Sequence, residues 1–285
     1  MPIEIAPLDA ALGARIYGVD LSQPLTDDAF ETIHAAWLKH QVLVFSGQQI
    51  SDDDQVRFSK LFGDLPDKAV HSQGTKSGQQ LHKSVMLVTN IREDSEVIGS
   101  LPDGEMHFHT DGAYERDPYR YTMLYAMEVP RVGGDTMFAN MYRAFETLPE
   151  ELKNRLDGVH AEHGFYTGVD VSDEMKLALR IDGYNGKAVH PVFIRHEETG
   201  MTALYVNRLL TRRLVGFDEE KSREILSRLF DHSEQAEMVY QHKWTPGDFV
   251  AWDNRCTNHA RTDFSAGERR LLRRTTVQGV KPSQA

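Results

Sequence analysis

The sequence predicts a mainly β protein with helices, a double-stranded β-helix (jelly-roll) core flanked by α-helices. Two observations carry this. From Tyr119 onward, short runs rich in β-branched and aromatic residues recur, mostly punctuated by Gly, Pro or Asp. A convincing amphipathic helix, "DEEKSREILSRLFDHSEQ", is inserted among them, with the shorter "PEELKNRL" before it, so the strands form a double sheet with helices outside.

Taken in order, "LTDDAFETIHAAWLKH" opens with a Thr/Asp cap and spaces Phe30, Ile33, Trp37 and Leu38 along one helical face. "QVLVF" follows as a short buried strand. "SDDDQVRFSKLFG" repeats the grammar, with Ser51 as cap, acids in the first turn and Gly63 as the stop. From Gly63 to Gly104 the pattern loosens into a polar Gly/Ser/Gln stretch interrupted by the strand-like "VMLVTNI", and a flexible active-site loop is expected around residues 66–106. The strand candidates are then "YRYTMLYAMEV", "DTMFANM", "AVHPVFIRH", "ALYVN", "VYQHKW", "DFVAWDN" and "RLLRRTTVQGV". Without a repeat or low-complexity linker, residues 1–285 read as a single domain.

Composition excludes several function classes. The hydrophobic fraction of 40% and charged fraction of 26% are those of a soluble globular chain, and no run approaches the roughly eighteen apolar residues of a membrane span. The opening "MPIEIAPLDAALGA" lacks the basic and long apolar regions of a secretory signal, so the cytoplasm is the expected location. A single cysteine, Cys256, rules out an internal disulfide and any multi-cysteine metal site. With 43 acidic against 32 basic residues, the net charge of -11 disfavours nucleic-acid backbones. No nucleic-acid or membrane partner is expected.

The stretch "EMHFHTDGAY" holds His107, His109 and Asp111, with Glu115 just beyond. In a regular strand the first three share a face. A cupin-like pairing of His107 and His109 with a following Glu competes with His-x-Asp from His109 and Asp111, and Glu115 lies too far along for the first. His-x-Asp supplies two-thirds of a facial triad that leaves open positions on Fe(II). Among 13 histidines, His259 in "WDNRCTNHARTDF" is the candidate third ligand, while His163 and His190 read equally well as core histidines. After His259, period-2 alternation puts Arg270, Leu272 and Arg274 on one face. Two arginines facing into a barrel imply anionic ligands, whereas the reversed parity would turn Arg269 and Arg273 inward.

Segments in this order along nearly the whole chain resemble the TauD/TfdA (taurine / 2,4-dichlorophenoxyacetate dioxygenase) family of Fe(II)/2-oxoglutarate-dependent oxygenases. They are "GARIYGVDLSQPL", "VLVFSGQ", "FSKLFGDL", "FHTDGAY", "VPRVGGDTMFANMYRAFETLP", "HPVFIRHEETGMTALYVN" and "WDNRCTNHARTDF" with "ERRLLRRTTVQG". The resemblance implies that His109, Asp111 and His259 are iron ligands. It implies that Thr136 and Arg270 hold the distal carboxylate of the co-substrate 2-oxoglutarate, and that Arg274 meets the anionic head of the primary substrate. His71, Gly112 and Glu105 fall at substrate-side positions. Glu105 stands where the taurine enzymes carry an asparagine that contacts the substrate amine, so taurine itself is not the expected substrate.

The implied activity uses O2 to hydroxylate a small organic anion, a sulfonate or carboxylate such as an alkyl sulfonate or aryloxyalkanoate, with release of succinate and CO2. A homo-oligomer, dimer or tetramer, is expected. The rival readings are a zinc-dependent hydrolase using the same triad with a bound water and a non-catalytic anion-binding barrel.

Overall fold

The computed structural model describes residues 2–66, 82–93, 96–99, 105–164 and 186–285. Strands β1 (Glu4–Pro7) and β2 (Ala14–Tyr17) precede helix α1 (Asp27–His40), which begins where the Thr26 side chain accepts from the Ala29 N–H. After β3 (Val42–Phe45), α2 (Asp52–Lys60) opens on a capping box in which the Ser51 and Asp54 side chains each accept the other's backbone N–H. The chain continues through β4 (Met86–Thr89), the pair β5 (Arg92–Glu93) and β6 (Glu96–Val97), β7 (Met106–His109), β8 (Tyr121–Glu128) and β9 (Thr136–Asn140). Helices α3 (Met141–Glu146) and α4 (Glu150–Leu156) lead to β10 (His160–Gly164), β11 (Lys187–Pro191), β12 (Phe193–Arg195), β13 (Thr202–Leu204) and β14 (Thr211–Leu214). Helix α5 (Glu219–Ser233), capped by Asp218, is followed by β15 (Val239–His242), β16 (Phe249–Asp253), β17 (Thr257–Arg261), β18 (Leu271–Val277) and β19 (Ser283–Gln284).

Two sheets frame the interior. One has seven strands in the order β1-β2-β3-β16-β8-β18-β4, and the other has four in the order β15-β9-β17-β7. Alternation along the seven-stranded sheet sorts its side chains into two layers. Leu43, Phe45, Tyr121, Met123, Phe249 and Ala251 face α1 and α2, where Ile33, Trp37, Phe58 and Phe62 close an aromatic-rich core. Val42, Val44, Leu124, Ala126, Val250, Trp252 and Leu272 turn the other way and meet Phe138 of the four-stranded sheet. The outer face of that second sheet is covered in turn, with Phe108, Ala139 and Ala260 packing among residues of α3, α4 and α5 such as Leu152, Leu156, Ile225 and Leu229. The result is a mainly β interior with helices on both flanks.

Several elements differ from the sequence expectation, among them β10, β14 and α3, which it did not name. "AVHPVFIRH" is two strands that change partner at Val192, whose N–H bonds the Val159 carbonyl in the β10 register while its carbonyl accepts from the Tyr205 N–H in the β13 register. Only Thr202–Leu204 of the "ALYVN" region is strand. Strand β17 has the sequence "TNHAR", which shows no apolar alternation, yet every residue of it is buried. Of the expected loop around 66–106, residues 67–81, 94–95 and 100–104, with His71 among them, lie outside the described residues.

Candidate active site

The pairing of β7 with β17 sets His109 directly opposite His259. Cross-strand partners project from the same face. The two imidazoles accordingly meet with centroids 4.1 Å apart and planes at 44°. Between His109 and Met106 the register shifts, three residues of β7 spanning two of β17. This bulge places Met106 and His109 in the same pocket lining and leaves His107 out of it. The strand also ends at His109, so Asp111 comes from the turn that follows, not from continued alternation. Gly112, at φ +73°, gives that turn its left-handed residue, and a Cβ there would meet the Tyr119 ring at 3.2 Å.

His109, Asp111 and His259 bring one ligand atom each to within 4.8 Å of one another, all three residues buried. His109 Nδ1 lies 2.9 Å from the His107 carbonyl, which sets the donor on Nδ1 and leaves Nε2 with a free lone pair for a metal. Thr122 donates to Asp111 Oδ2 at 2.7 Å, and Arg274 Nη1 donates to Oδ1 at 3.2 Å. Burial would raise the Asp111 pKa, but Arg274, His259, His109 and the Thr122 hydrogen bond together hold its carboxyl well below the ordinary range. Burial pushes His259 down to about 3, helped by His109, and lowers His109 as well. Two neutral imidazoles and an ionised carboxylate are the protonation states a divalent metal requires.

The other end of the pocket is cationic. Arg270 sits just before β18, is 2% exposed, donates Nε–H to the Gly134 carbonyl and leaves Nη1 without a hydrogen-bond partner among the described residues. Burial and then Arg261 push its pKa well down, the mark of a guanidinium short of counter-charge. Thr136 on β9 lines the same end. Its hydroxyl accepts from Trp244 Nε1 at 3.0 Å, so its proton is available to a second acceptor. A buried cation with an open nitrogen beside a hydroxyl donor fits a carboxylate.

One pocket therefore gathers His109, Asp111, His259, Thr136, Arg270 and Arg274. Glu105 is exposed ahead of β7, and neither it nor Gly112 lines this pocket. His163 and His190 lie buried on β10 and β11, with rings 5.5 Å apart. The arginine strand is buried on both faces. Arg274 stands opposite Leu124 on the pocket side, while Arg273 lies over the Tyr125 ring and donates to the Ile50 carbonyl beneath α2. Exposed Arg269 pairs with Glu128. Sequence reasoning missed Arg261, two residues past His259 and opposite Thr136 in the ladder, although the same alternation that oriented Arg270 would have pointed it inward.

A second cluster, His196, Asp253 and Cys256, has metal-like spacing but the wrong hydrogen bonds. His196 Nδ1 accepts from the backbone N–H groups of Glu198 and Thr199, so its proton sits on Nε2 and is donated to Asp253. Arg255 takes both Asp253 oxygens. No ring lone pair is left for a cation.

Residues 4–276 match the family described as taurine catabolism dioxygenase TauD, TfdA family. The chain is 35% identical to pentalenolactone F synthase of Streptomyces avermitilis, over 96% of this chain and 94% of that one. It is 31% identical to the (S)-phenoxypropionate/alpha-ketoglutarate-dioxygenase of Sphingobium herbicidovorans, over 99% and 96%. Among solved structures, AAD-2 in complex with Mn(II) and N-oxalylglycine superposes with a TM-score of 0.80 at 27% identity, covering 99% of each chain.

Proposed function

The chain belongs to the TauD/TfdA family and is a 2-oxoglutarate-dependent dioxygenase that works with Fe(II) and O2, and from that premise we propose how its own residues divide the work. His109, Asp111 and His259 hold the iron. Thr136 of the four-stranded sheet and Arg270, which leads into β18, bind the distal carboxylate of 2-oxoglutarate. Arg274 receives the anionic head of the primary substrate, and Gly112, Glu105 and His71 stay as substrate-side proposals that rest on the family resemblance alone. The iron supplies dioxygen activation coupled to oxidative decarboxylation of 2-oxoglutarate to succinate and CO2, ending in hydroxylation of the substrate. The chain orients the reactants, neutralises their charge and keeps water out.

The observation that carries this division is the convergence in one pocket of the His/Asp/His cluster and the unpartnered Arg270 Nη1. A zinc hydrolase needs no such cation, and the relatives are alpha-ketoglutarate enzymes by name, so the hydrolase and passive-barrel alternatives fall. The primary substrate is a small organic anion, an aryloxyalkanoate or alkyl sulfonate. The (S)-phenoxypropionate relative supports the former, and the guanidinium of Arg274 suits either head group.

The core is a double-stranded β-helix within one domain. The chain acts as a homo-oligomer, as its family resemblance implies, in the cytoplasm, a location that its single, buried cysteine supports. Among the described residues, no helix is long and apolar enough to cross a membrane.

Anaerobic addition of Fe(II) and 2-oxoglutarate should produce a weak visible charge-transfer band, and its absence from iron-loaded protein would overturn the pocket assignment. A panel of sulfonates and carboxylates, read by 2-oxoglutarate-coupled succinate formation, identifies the head group.

A further inference from the structure

Behind the Asp111 carboxylate runs a chain of side-chain hydrogen bonds whose direction is fixed from its far end. Trp252 Nε1 donates to Asn254 Oδ1 at 3.0 Å, Asn254 Nδ2 donates to Thr122 Oγ1 at 2.9 Å, and Thr122 Oγ1 donates to Asp111 Oδ2 at 2.7 Å. An indole N–H can only donate, so it selects the amide orientation of Asn254. The amide nitrogen then faces Thr122 and occupies an acceptor position of the hydroxyl. Its single proton goes to the carboxylate, which can only accept.

Trp252, Asn254 and Thr122 are each within 1% of full burial, so water does not compete for these bonds and successive bonds polarise one another. The backbone holds the same parts in place. Thr122 and Trp252 are cross-strand partners on β8 and β16, and the Asn254 N–H bonds the Arg120 carbonyl. The Trp252 ring also packs on His259, with centroids 4.7 Å apart. One indole thus ends the donor chain to one ligand and braces the ring of another.

We propose that Trp252, Asn254 and Thr122 form a positioning relay that fixes the carboxylate plane of Asp111 for the metal. The relay rests on the assignment of Asp111 and His259 as ligands. Thr122 and Asn254 lie outside the pocket lining and act through Asp111, whereas Trp252 also lines the pocket with its ring. Arg274 on the other carboxylate oxygen completes the clamp, so the Asp111 plane is held from both sides before metal arrives.

The test uses Co(II) as probe under anaerobic conditions, with its affinity and visible spectrum read against the thermal midpoint of the metal-free protein. Thr122→Val keeps the shape and removes the hydroxyl. It should weaken Co(II) binding about ten- to a hundred-fold and alter the spectrum, while Thr122→Ser restores both. Trp252→Phe keeps a ring against His259 and removes the N–H, and should show a similar loss. Unchanged Co(II) affinity in Thr122→Val, whether or not its thermal midpoint falls, would overturn the relay while loss of Co(II) in Asp111→Ala leaves the ligand assignment standing. Retention of Co(II) by Asp111→Ala would overturn both.

Discussion

Arg270 carries a positive charge into the interior and, among the described residues, leaves one of its nitrogens without a partner. A buried unpaired charge destabilises a fold, so its presence is a cost to the free protein that a bound carboxylate removes. Arg270→Met should therefore raise the thermal midpoint of the metal-free protein while raising the 2-oxoglutarate requirement on the order of a hundredfold. A fall in midpoint together with unchanged apparent affinity would refute the role. Asp111→Ala differs in kind. It should empty the site of iron by metal analysis and stop succinate formation, with the circular dichroism of the fold retained.

His163 makes a third prediction at this scale. Burial, and then His190, push it down to about 3 in the folded chain, below an unfolded value near 6.5. Its contribution to stability is full above the unfolded pKa. It is lost as pH falls toward 3, because the unfolded chain takes up a proton that the folded chain refuses, at up to about 1.4 kcal/mol per pH unit. Unfolding free energies from pH 7 to 4 should fall less steeply in His163→Asn than in the parent. Equal slopes would refute this.

At the scale of elements, the helices were legible because their signals are local. Thr26, Ser51 and Asp218 each accept a backbone N–H at the N-cap, where their side chains and the acids after them placed the starts. Ser51→Ala removes the hydroxyl half of its capping box, leaving the Ser51 N–H bonded to Asp54, and should cost about 1 kcal/mol in denaturant unfolding with the 2-oxoglutarate requirement unchanged. A shift in that requirement would mean that α2 is coupled to the site through Arg273, whose carbonyl accepts from Gln55. The strands were less legible because their geometry is relational. Alternation put His107, His109 and Asp111 on one face, but the β7 bulge and the end of the strand at His109 are set by β17, far along the chain. Strand β17 hid for the opposite reason. Its "TNHAR" residues are buried by polar contacts, as when Thr110 donates to Asn258 and Asn258 to the Val206 carbonyl, so hydrophobic periodicity is blind to it.

For the whole molecule, what matters is that the pocket lies between two sheets and takes residues from both. His109 and His259 belong to the four-stranded sheet, and Asp111 follows it in the turn but is pinned by Thr122 of the seven-stranded one. Thr136 and Arg270 repeat the division at the cationic end, since Arg270 leads into β18. Ligands that fill both ends must therefore staple the sheets together, and the gain should appear in global unfolding. At a hundred times its dissociation constant, a ligand that binds only the folded state adds about 2.7 kcal/mol. For a chain of this size each kcal/mol moves the midpoint by about 2–4 °C. Mn(II) and then N-oxalylglycine should thus each raise the thermal midpoint by roughly 5–10 °C, in two separable steps. Arg270→Met should keep the step due to Mn(II) and lose the one due to the dicarboxylate, whereas Asp111→Ala should lose both. If Arg270→Met retained the second step, the distal carboxylate would be anchored elsewhere, and the cationic end of the pocket would need another ligand to explain it.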